Sequence, residues 1–174
     1  MTRSDRPAEL ARLIGVLASD LGVQVAVVES LTGGLLSAAL AEAPRASSWY
    51  AGGIIAYARH VKHDVLEVPP GPVVSPQAAL AMATQGAKLL SAEYAVSLTG
   101  VGGPDPQDGQ PPGTVYVGLC TPHGATQRRV LLPGPAHEVC RSAVRVALAD
   151  LERELATEVA IRATLLTVPS MRAS

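Results

Sequence analysis

The sequence has 174 residues and a formal net charge of −1 at pH 7; 48% of the residues are hydrophobic and only 3% are aromatic. The high hydrophobic fraction excludes a disordered chain, and the near-neutral charge excludes a general nucleic-acid binder, which would carry a basic excess. No apolar run reaches the ~18 residues of a membrane helix. The length fits one domain, whose core must be built from Ala, Val, Leu and Ile because Phe is absent.

The N-terminal sequence predicts a cytoplasmic protein, because residues 1–13 contain neither an apolar h-region nor a small-residue cleavage site. We expect Cys120 and Cys140 to be reduced, structural thiols, since neither has a His or Cys at metal-ligand spacing. The small apolar side chains each contribute little buried area. This favours a homodimer, in which a subunit interface would add burial.

The first part of the chain alternates between helical and strand patterns. Apolar residues recur at helical spacing over 7–21, with Pro7 in the first turn, and Gly22 ends the helix. A β-branched run over 23–28 predicts a buried strand. The elements predicted next are a helix over LLSAALAEA that stops near Pro44, a strand over 49–57 whose Gly pair indicates a bulge or a close backbone approach, and a short helix over 59–67.

The second part begins with an N-cap at Ser75 and a proline at the first helical position, which predict a helix through about Ala92. The elements predicted after it are a strand over 94–98, a long Gly/Pro loop over 99–113, strands near 114–120 and 125–132 with the second near a sheet edge, and a final helix over 136–156.

This order predicts an α/β fold, namely a three-layer α/β/α sandwich with a mixed, mainly parallel sheet. We expect a single domain over residues 1–174, with a core at about 8–157 and a C-terminal tail at 158–174 that continues as helix and frays past Pro169.

The turn from Glu29 to Gly34 lies between a predicted strand and a predicted helix. Such a junction presents free backbone N–H groups and the positive end of the helix dipole, and Gly33 and Gly34 allow close approach of a ligand. With the hydroxyls of Ser30 and Thr32, the turn can hold a phosphate or an oxyanion, or present Ser30 as a nucleophile. The alternative is a plain N-cap with a tight turn.

Tyr57 and Lys62 fall at the end of a predicted strand and on the helix that follows. A lysine beside a serine is a known arrangement for activating a hydroxyl, and burial lowers the lysine pKa from its free value of ~10.4. The alternative is that Lys62 is an ordinary solvated charge on the helix.

The stretch from Thr99 to Asp105 has glycines at Gly100 and Gly103 that superficially resemble a dinucleotide-binding fingerprint. Pro104 and Pro106 prevent a helix from starting where that fingerprint requires one, which excludes a Rossmann site. A glycine loop at the carboxyl end of a strand still suits ligand binding.

Two groups of charged residues allow two interpretations each. His60 and His63 share a helix face, but without a third ligand we expect solvated side chains rather than a metal site. Arg141 and Arg145 lie four apart on the last helix and form either a solvated face or a clamp for a phosphate or carboxylate.

Taken together, the motifs resemble the CinA C-terminal domain family from about Leu10 to Leu155. The matching segments occur in order, and they are ESLTGGLLSAAL, GGIIAYARHVKHDVLEV, VSPQAALAMATQGAKLL and SLTGVGGPDPQDGQPPGTVYVGL. The Glu-Ser-x-Thr-Gly-Gly, Tyr-x4-Lys and Thr-Gly-x-x-Gly-Pro motifs are specific jointly, although each alone is weak. The resemblance is to the stand-alone form of the domain, whose enzymatic members are nicotinamide-nucleotide amidohydrolases.

The resemblance implies hydrolysis of the carboxamide of nicotinamide mononucleotide (NMN) to nicotinate mononucleotide and ammonia, without a metal or cofactor, in a homodimer. It implies that Ser30 is the nucleophile and that Tyr57 and Lys62 activate it. The residues expected to bind substrate are Glu29, Thr32, Gly33, Gly34, Thr99, Gly100, Gly103 and, by a looser match, Arg141.

The sequence departs from the family's usual pattern at two places that bear on function. Arg59 stands where many members have Asn, which affects hydrogen bonding near Lys62, and the 104–109 loop is less rich in glycine, which affects contacts with substrate. Leu31 replaces a Cys at a spacer position. The alternatives are a catalytically inactive nucleotide-binding or competence-associated module, and amide hydrolysis of another nucleotide or a pterin-like compound.

Overall fold

Five strands and five α-helices occur along residues 7–167, the part of the chain that this computed structural model describes. The strands are β1 (Val25–Glu29), β2 (Tyr50–Ile55), β3 (Tyr94–Gly100), β4 (Thr114–Thr121) and β5 (Gly124–Leu131). The helices are α1 (Pro7–Leu21), α2 (Leu35–Ala41), α3 (Arg59–Asp64), α4 (Pro76–Leu89) and α5 (Ala136–Thr167), with a 3₁₀ turn at Ala46–Ser48.

The strands form one mixed sheet in the order β2-β1-β3-β4-β5. The pairings of β1 with β2 and β3 are parallel, and those of β4 with β3 and β5 are antiparallel, so four of the five strands run in the same direction. The mixed sheet is confirmed, although its pairings divide evenly between the two kinds. The exposed β5 lies at an edge, as predicted.

Helices cover both faces of the sheet, which confirms the three-layer arrangement. Along β1, Val25 and Val27 pack in the cluster that contains α1, α2 and α5, whereas Ala26 and Val28 face the other side, where α4 packs. All five residues of β1 are therefore buried, as expected for a central strand with both faces covered. Within residues 7–167, no helix is long and apolar enough to cross a membrane.

The glycine pair of β2 accounts for both features that the sequence indicated. The register with β1 shifts between Val25 and Ala26, which is a bulge, and Gly52 there has a φ of 131°. A Cβ on Gly53 would collide with the Ser37 hydroxyl of α2. These glycines therefore let β2 bend and let α2 pack directly on the sheet.

Three predicted ends of elements are wrong by two or three residues. The helix predicted over 59–67 ends at Asp64, and Glu67 adopts a φ of 51°, while the helix predicted through about Ala92 ends at Leu89. The strand predicted to end at Leu98 continues to Gly100, because Thr99 and Gly100 pair with β4. The last helix continues beyond 156 into the predicted tail, as expected, and runs through Thr167; Pro169 lies outside the described residues.

The close packing of α4 on the sheet requires that residue 118 have no side chain, as in Gly118. A Cβ at Gly118 would lie 2.6 Å from the carbonyl carbon of Ala79 in α4. Because backbone cannot yield as a flexible side chain does, we expect Gly118→Ala to lower the free energy of unfolding by about 2–3 kcal/mol. Urea unfolding followed by fluorescence of Trp49, which is 1% exposed, measures this change.

Gly102→Ala is the matched control, since its Cβ would make an ordinary contact of 3.6 Å with Ala136. We expect that substitution to change stability by less than about 0.5 kcal/mol. Equal unfolding midpoints for both variants would contradict the close-packing account.

Candidate active site

A cavity of about 360 Å³ opens where β1, β2 and β3 end. Its lining brings together Ser30 after β1, Tyr57 and Lys62 after β2, and Thr99 and Gly100 at the end of β3. Ligands of open α/β sheets bind outside the carboxyl ends of the strands, because loops and helix ends converge there. The topology thus unites residues that are up to 70 positions apart in the chain.

Ser30 is held by the turn that follows β1. Its backbone N–H donates to Leu98 O at 3.1 Å, and its carbonyl oxygen accepts a hydrogen bond from the Gly33 N–H at 3.1 Å. The hydroxyl has no hydrogen-bond partner within residues 7–167, and Ser30 lines the cavity. Both backbone groups are therefore fixed while the side chain remains available for a ligand.

Glu29 does not line the cavity, although we predicted that it binds substrate. Its side chain is fully buried, and its carboxylate accepts hydrogen bonds from the N–H groups of Gly34 (3.0 Å), Leu36 (3.0 Å) and Ser37 (2.7 Å). A carboxylate at a helix N-terminus satisfies N–H groups that lack intrahelical partners and interacts favourably with the helix dipole. Glu29 therefore orients α2 and the turn before it.

The hydrogen bonds of this turn also narrow the choice of anion-binding N–H groups. We expected the Thr32–Gly34 segment to bind an oxyanion or phosphate, but the N–H groups of Gly33 and Gly34 donate to Ser30 O and Glu29 respectively. The Leu31 N–H has no partner within the described chain, and Leu31 lines the cavity. Thr32 is buried beside it, with a hydroxyl that lacks a partner among these residues.

Lys62 is the most unusual group in the cavity, since only 2% of this charged residue is exposed. Its Nζ donates to the carbonyl oxygens of Ala56 at 2.7 Å and Tyr57 at 3.2 Å. Burial lowers the pKa of Lys62, the nearby Arg59 lowers it further, and Asp108 opposes this. Lys62 is thus not a solvated helix charge, and its environment favours the neutral amine.

Tyr57 contributes to the site in a different way from the one predicted. Its residue is 72% exposed at the cavity rim, and the group that contacts Lys62 is its backbone carbonyl rather than its phenol. The hydroxyl makes no hydrogen bond with any residue in the described range. The ring is therefore placed to contact a ligand at the entrance.

The loop after β3 forms the opposite wall. Thr99 lines the cavity, but its hydroxyl donates to Val73 O at 2.6 Å and so fixes the neighbouring segment. A Cβ on Gly100 would lie 2.6 Å from Thr114 O, and Gly103 has a φ of 95°, which favours glycine. These residues therefore shape the wall mainly through backbone.

Arg141 does not line this cavity, so the structure does not bring it together with the other residues predicted to bind substrate. It is exposed in a separate groove that it shares with Leu35, Glu138 and Arg145. Sequence spacing placed two arginines on one helix face but did not indicate which groove that face borders. A clamp formed by Arg141 for a phosphate or carboxylate therefore stays a prediction.

The start of α5 also lines the cavity, although no sequence motif predicted it. Ala136, His137 and Cys140 line the cavity, and Cys140 Sγ lies 3.2 Å from Leu31 O. The only sequence indication was that Gly134 and Pro135 precede the helix. The positive end of this helix dipole therefore faces the same space as Ser30 and Lys62.

The two histidines of α3 do not form a metal site. His63 Nδ1 lies 2.8 Å from Val68 O and donates to it, which commits that nitrogen to the fold. Within residues 7–167, no group of three or more His, Cys, Asp or Glu side chains is arranged to hold a metal ion.

Comparison with known proteins matches residues 7–155 to the model of the CinA C-terminal domain family. A CinA-like protein from Frankia casuarinae is 42% identical over 137 residues, which are 76% of this chain and 32% of that protein. A putative competence-damage inducible protein from Desulforamulus reducens is 36% identical over 145 residues, covering 80% and 35% respectively. The chain thus spans about a third of the length of these curated relatives.

A solved structure similar to this one is that of a competence-damaged protein (CinA) superfamily protein from Enterobacter cloacae. The TM-score is 0.85 at 28% identity, and the match covers 89% of this chain and 95% of that chain. A CinA superfamily protein from Klebsiella pneumoniae matches with a TM-score of 0.83, also at 28% identity, covering 87% and 99%.

The hydrogen bonds of Glu29 make a prediction about stability. Glu29→Ala would leave one buried and two part-buried N–H groups at the start of α2 without their acceptor, so we expect a loss of about 3–5 kcal/mol in the free energy of unfolding. Thermal or urea unfolding measures this loss. Glu42→Ala, an exposed glutamate at the other end of α2, is the control and should change stability little. Similar effects of the two substitutions would argue against the capping role.

Proposed function

The chain belongs to the CinA C-terminal domain family, and on that premise we propose that it hydrolyses the carboxamide of NMN to nicotinate mononucleotide and ammonia. The observation that carries this proposal is the placement of the Ser30 hydroxyl and the buried Lys62 amine in one cavity. Amide hydrolysis by a serine nucleophile requires a base that is unprotonated before reaction, which for a lysine is the neutral amine. Ser30 and Lys62 supply these two groups.

In the first step, Ser30 Oγ attacks the carboxamide carbon, and neutral Lys62 takes the hydroxyl proton. The tetrahedral intermediate then collapses: the C–N bond breaks, the proton passes to the leaving nitrogen, and ammonia departs. An ester on Ser30 remains. Water attacks this ester, with Lys62 again accepting a proton. The C–O bond to Ser30 then breaks, Lys62 returns the proton to Ser30 Oγ, and nicotinate mononucleotide is released.

The negative charge of the tetrahedral intermediate requires hydrogen-bond donors. The Leu31 N–H fits this role because it is adjacent to Ser30 and has no partner within residues 7–167. The Thr32 N–H, which follows it, is the second candidate. One such donor contributes about 3–4 kcal/mol to transition-state stabilisation in other enzymes.

The phosphate of NMN fits the start of α5 better than the start of α2. The carboxylate of Glu29 already occupies the N-terminal N–H groups of α2 and would repel a second anion. Ala136 and His137, in contrast, lie in the first turn of α5 and line the cavity. The pyridinium ring would then lie between the glycine-containing loop and the exposed ring of Tyr57.

The homodimer implied by the resemblance is part of the proposal. Three large apolar or aromatic side chains next to the turns at Gly34 and Ala56 are exposed, namely Leu35, Ile55 and Tyr57. Such apolar groups suit contact with a second copy of the chain.

Substitution of the two central residues tests the mechanism. We expect Ser30→Ala and Lys62→Met each to lower kcat for ammonia release from NMN by about 10²-fold or more, because the first removes the nucleophile and the second removes the base. Ser47→Ala and Lys88→Met replace exposed residues of the same types and should retain full activity. Circular dichroism of all four variants checks that the fold is kept.

Retention of near wild-type turnover by Ser30→Ala would contradict the nucleophile role. Binding of NMN by the wild type without ammonia release would instead favour a non-catalytic nucleotide-binding module. Ammonia release from another amide, but not from NMN, would point to a different substrate.

The pH dependence tests Lys62 as the base. Activity requires the neutral amine, so kcat/KM should rise with pH as Lys62 loses its proton. Since burial lowers the pKa of Lys62, this rise should be centred below the ordinary lysine value of 10.5. An unchanged pH profile in the residual activity of Lys62→Met would contradict the assignment.

A further inference from the structure

An ion pair joins the start of α3 to the long loop that forms the cavity wall. Arg59 Nη2 lies 2.6 Å from Asp108 Oδ1, although the two residues are 49 positions apart in the chain. The Asp108 side chain is only 11% exposed, whereas that of Arg59 is 50% exposed. Half-burial of this kind makes the pair stronger than an ion pair on the open surface.

Each partner also binds backbone in a third segment. Asp108 Oδ2 accepts hydrogen bonds from the N–H groups of Val73 at 2.7 Å and Val74 at 3.0 Å, and Arg59 Nη1 donates to Gly71 O at 2.9 Å. In the same segment, Val73 O accepts a hydrogen bond from the Thr99 hydroxyl. Two side chains therefore fix residues 71–74 on one side and the 101–113 loop on the other.

The three connected segments all contribute to the cavity. Lys62 lies one turn after Arg59 on α3, Val73 and Val74 line the cavity, and Gly103 and Gln107 of the loop line it as well. Asp108 itself has a φ of 51°, an uncommon conformation for a residue other than glycine. Such a conformation persists where surrounding contacts determine it, and here these contacts are the ones made by its carboxylate.

We propose that Arg59 and Asp108 are positioning residues, which hold the 71–74 segment and the 101–113 loop in place around Lys62. This inference rests on the proposed function. Neither residue lines the cavity, so both act through the residues that do.

The two charges of the pair also affect the pKa of Lys62. Arg59 from the same helix and Asp108 from the loop shift this pKa in addition to burial. The other titratable side chains that line the cavity of Lys62 are Tyr57, Asp105, His137 and Cys140. Arg59 disfavours the protonated amine, and Asp108 favours it, so their effects on the pKa of Lys62 are opposite. Loss of Arg59 should raise that pKa, and loss of Asp108 should lower it.

Steady-state kinetics with NMN test the proposal. We expect Arg59→Gln and Asp108→Asn each to lower kcat/KM by about tenfold through misplacement of the cavity wall. The ascending limb of the pH profile should move to higher pH in Arg59→Gln and to lower pH in Asp108→Asn. Arg59→Lys keeps the positive charge but cannot donate to Gly71 O and Asp108 simultaneously, as the guanidinium does. Its pH profile should therefore match that of the wild type, while its kcat/KM should be partly reduced.

The control is the Arg128–Asp150 pair, which has a similar N–O distance of 2.7 Å, a half-exposed arginine and a buried aspartate. Neither residue lines the catalytic cavity. Arg128→Gln and Asp150→Asn should therefore leave kcat/KM and the pH profile unchanged even if they lower stability. The positioning role would be overturned if the ascending limbs of the pH profiles moved in the same direction in Arg59→Gln and Asp108→Asn. It would also be overturned if the control substitutions changed kcat/KM and the pH profile equally.

Hydrogen exchange separates this proposal from the proposed function. In Asp108→Ala, which removes the acceptor oxygen altogether, the N–H groups of Val73 and Val74 should exchange at least about tenfold faster than in the wild type, whether or not the protein hydrolyses NMN. Unchanged exchange at these two N–H groups would overturn the tether itself. A wild type that releases no ammonia from NMN, but shows faster exchange in the variant, would overturn only the proposed function.

Discussion

The arrangement of this site depends on the buried carboxylate of Glu29. A charge with no exposed surface is tolerated only when hydrogen bonds compensate for the loss of water, and three N–H groups at the start of α2 provide them. This requirement fixes the direction in which the chain leaves β1. The turn that results places Ser30 at the cavity and leaves the Leu31 N–H without a hydrogen-bond partner among residues 7–167.

Because Glu29 binds the N-terminus of α2, the N-termini of α2 and α5 have different roles. The start of α2 is saturated by a protein carboxylate, so it serves as a support, whereas the start of α5 lines the cavity and can face an anion. The buried amine of Lys62 lies within the same cavity and is held by two carbonyl oxygens rather than by a carboxylate. Burial without a directly bonded anion favours the neutral form, which is the form that can accept a proton.

The layers of the fold could be predicted from the sequence, because strand and helix patterns are local. That Ser30 and Lys62 line one cavity was implied by the resemblance to a family rather than by the residue pattern, which also allowed a solvated Lys62. The roles of three other residues could not be predicted. The direction of the Glu29 carboxylate and the groove beside Arg141 depend on how helices pack in three dimensions. The pairing of Arg59 with Asp108 joins distant segments, and no local pattern indicates it.

The central claim is that hydrolysis proceeds through an ester on Ser30, and trapping of that ester tests it most directly. Turnover of NMN in the presence of hydroxylamine, with the products identified by mass spectrometry, distinguishes the ester from direct attack by water. The account predicts that the hydroxamate of nicotinate mononucleotide forms at the expense of the acid. Formation of the acid alone at every hydroxylamine concentration would contradict it.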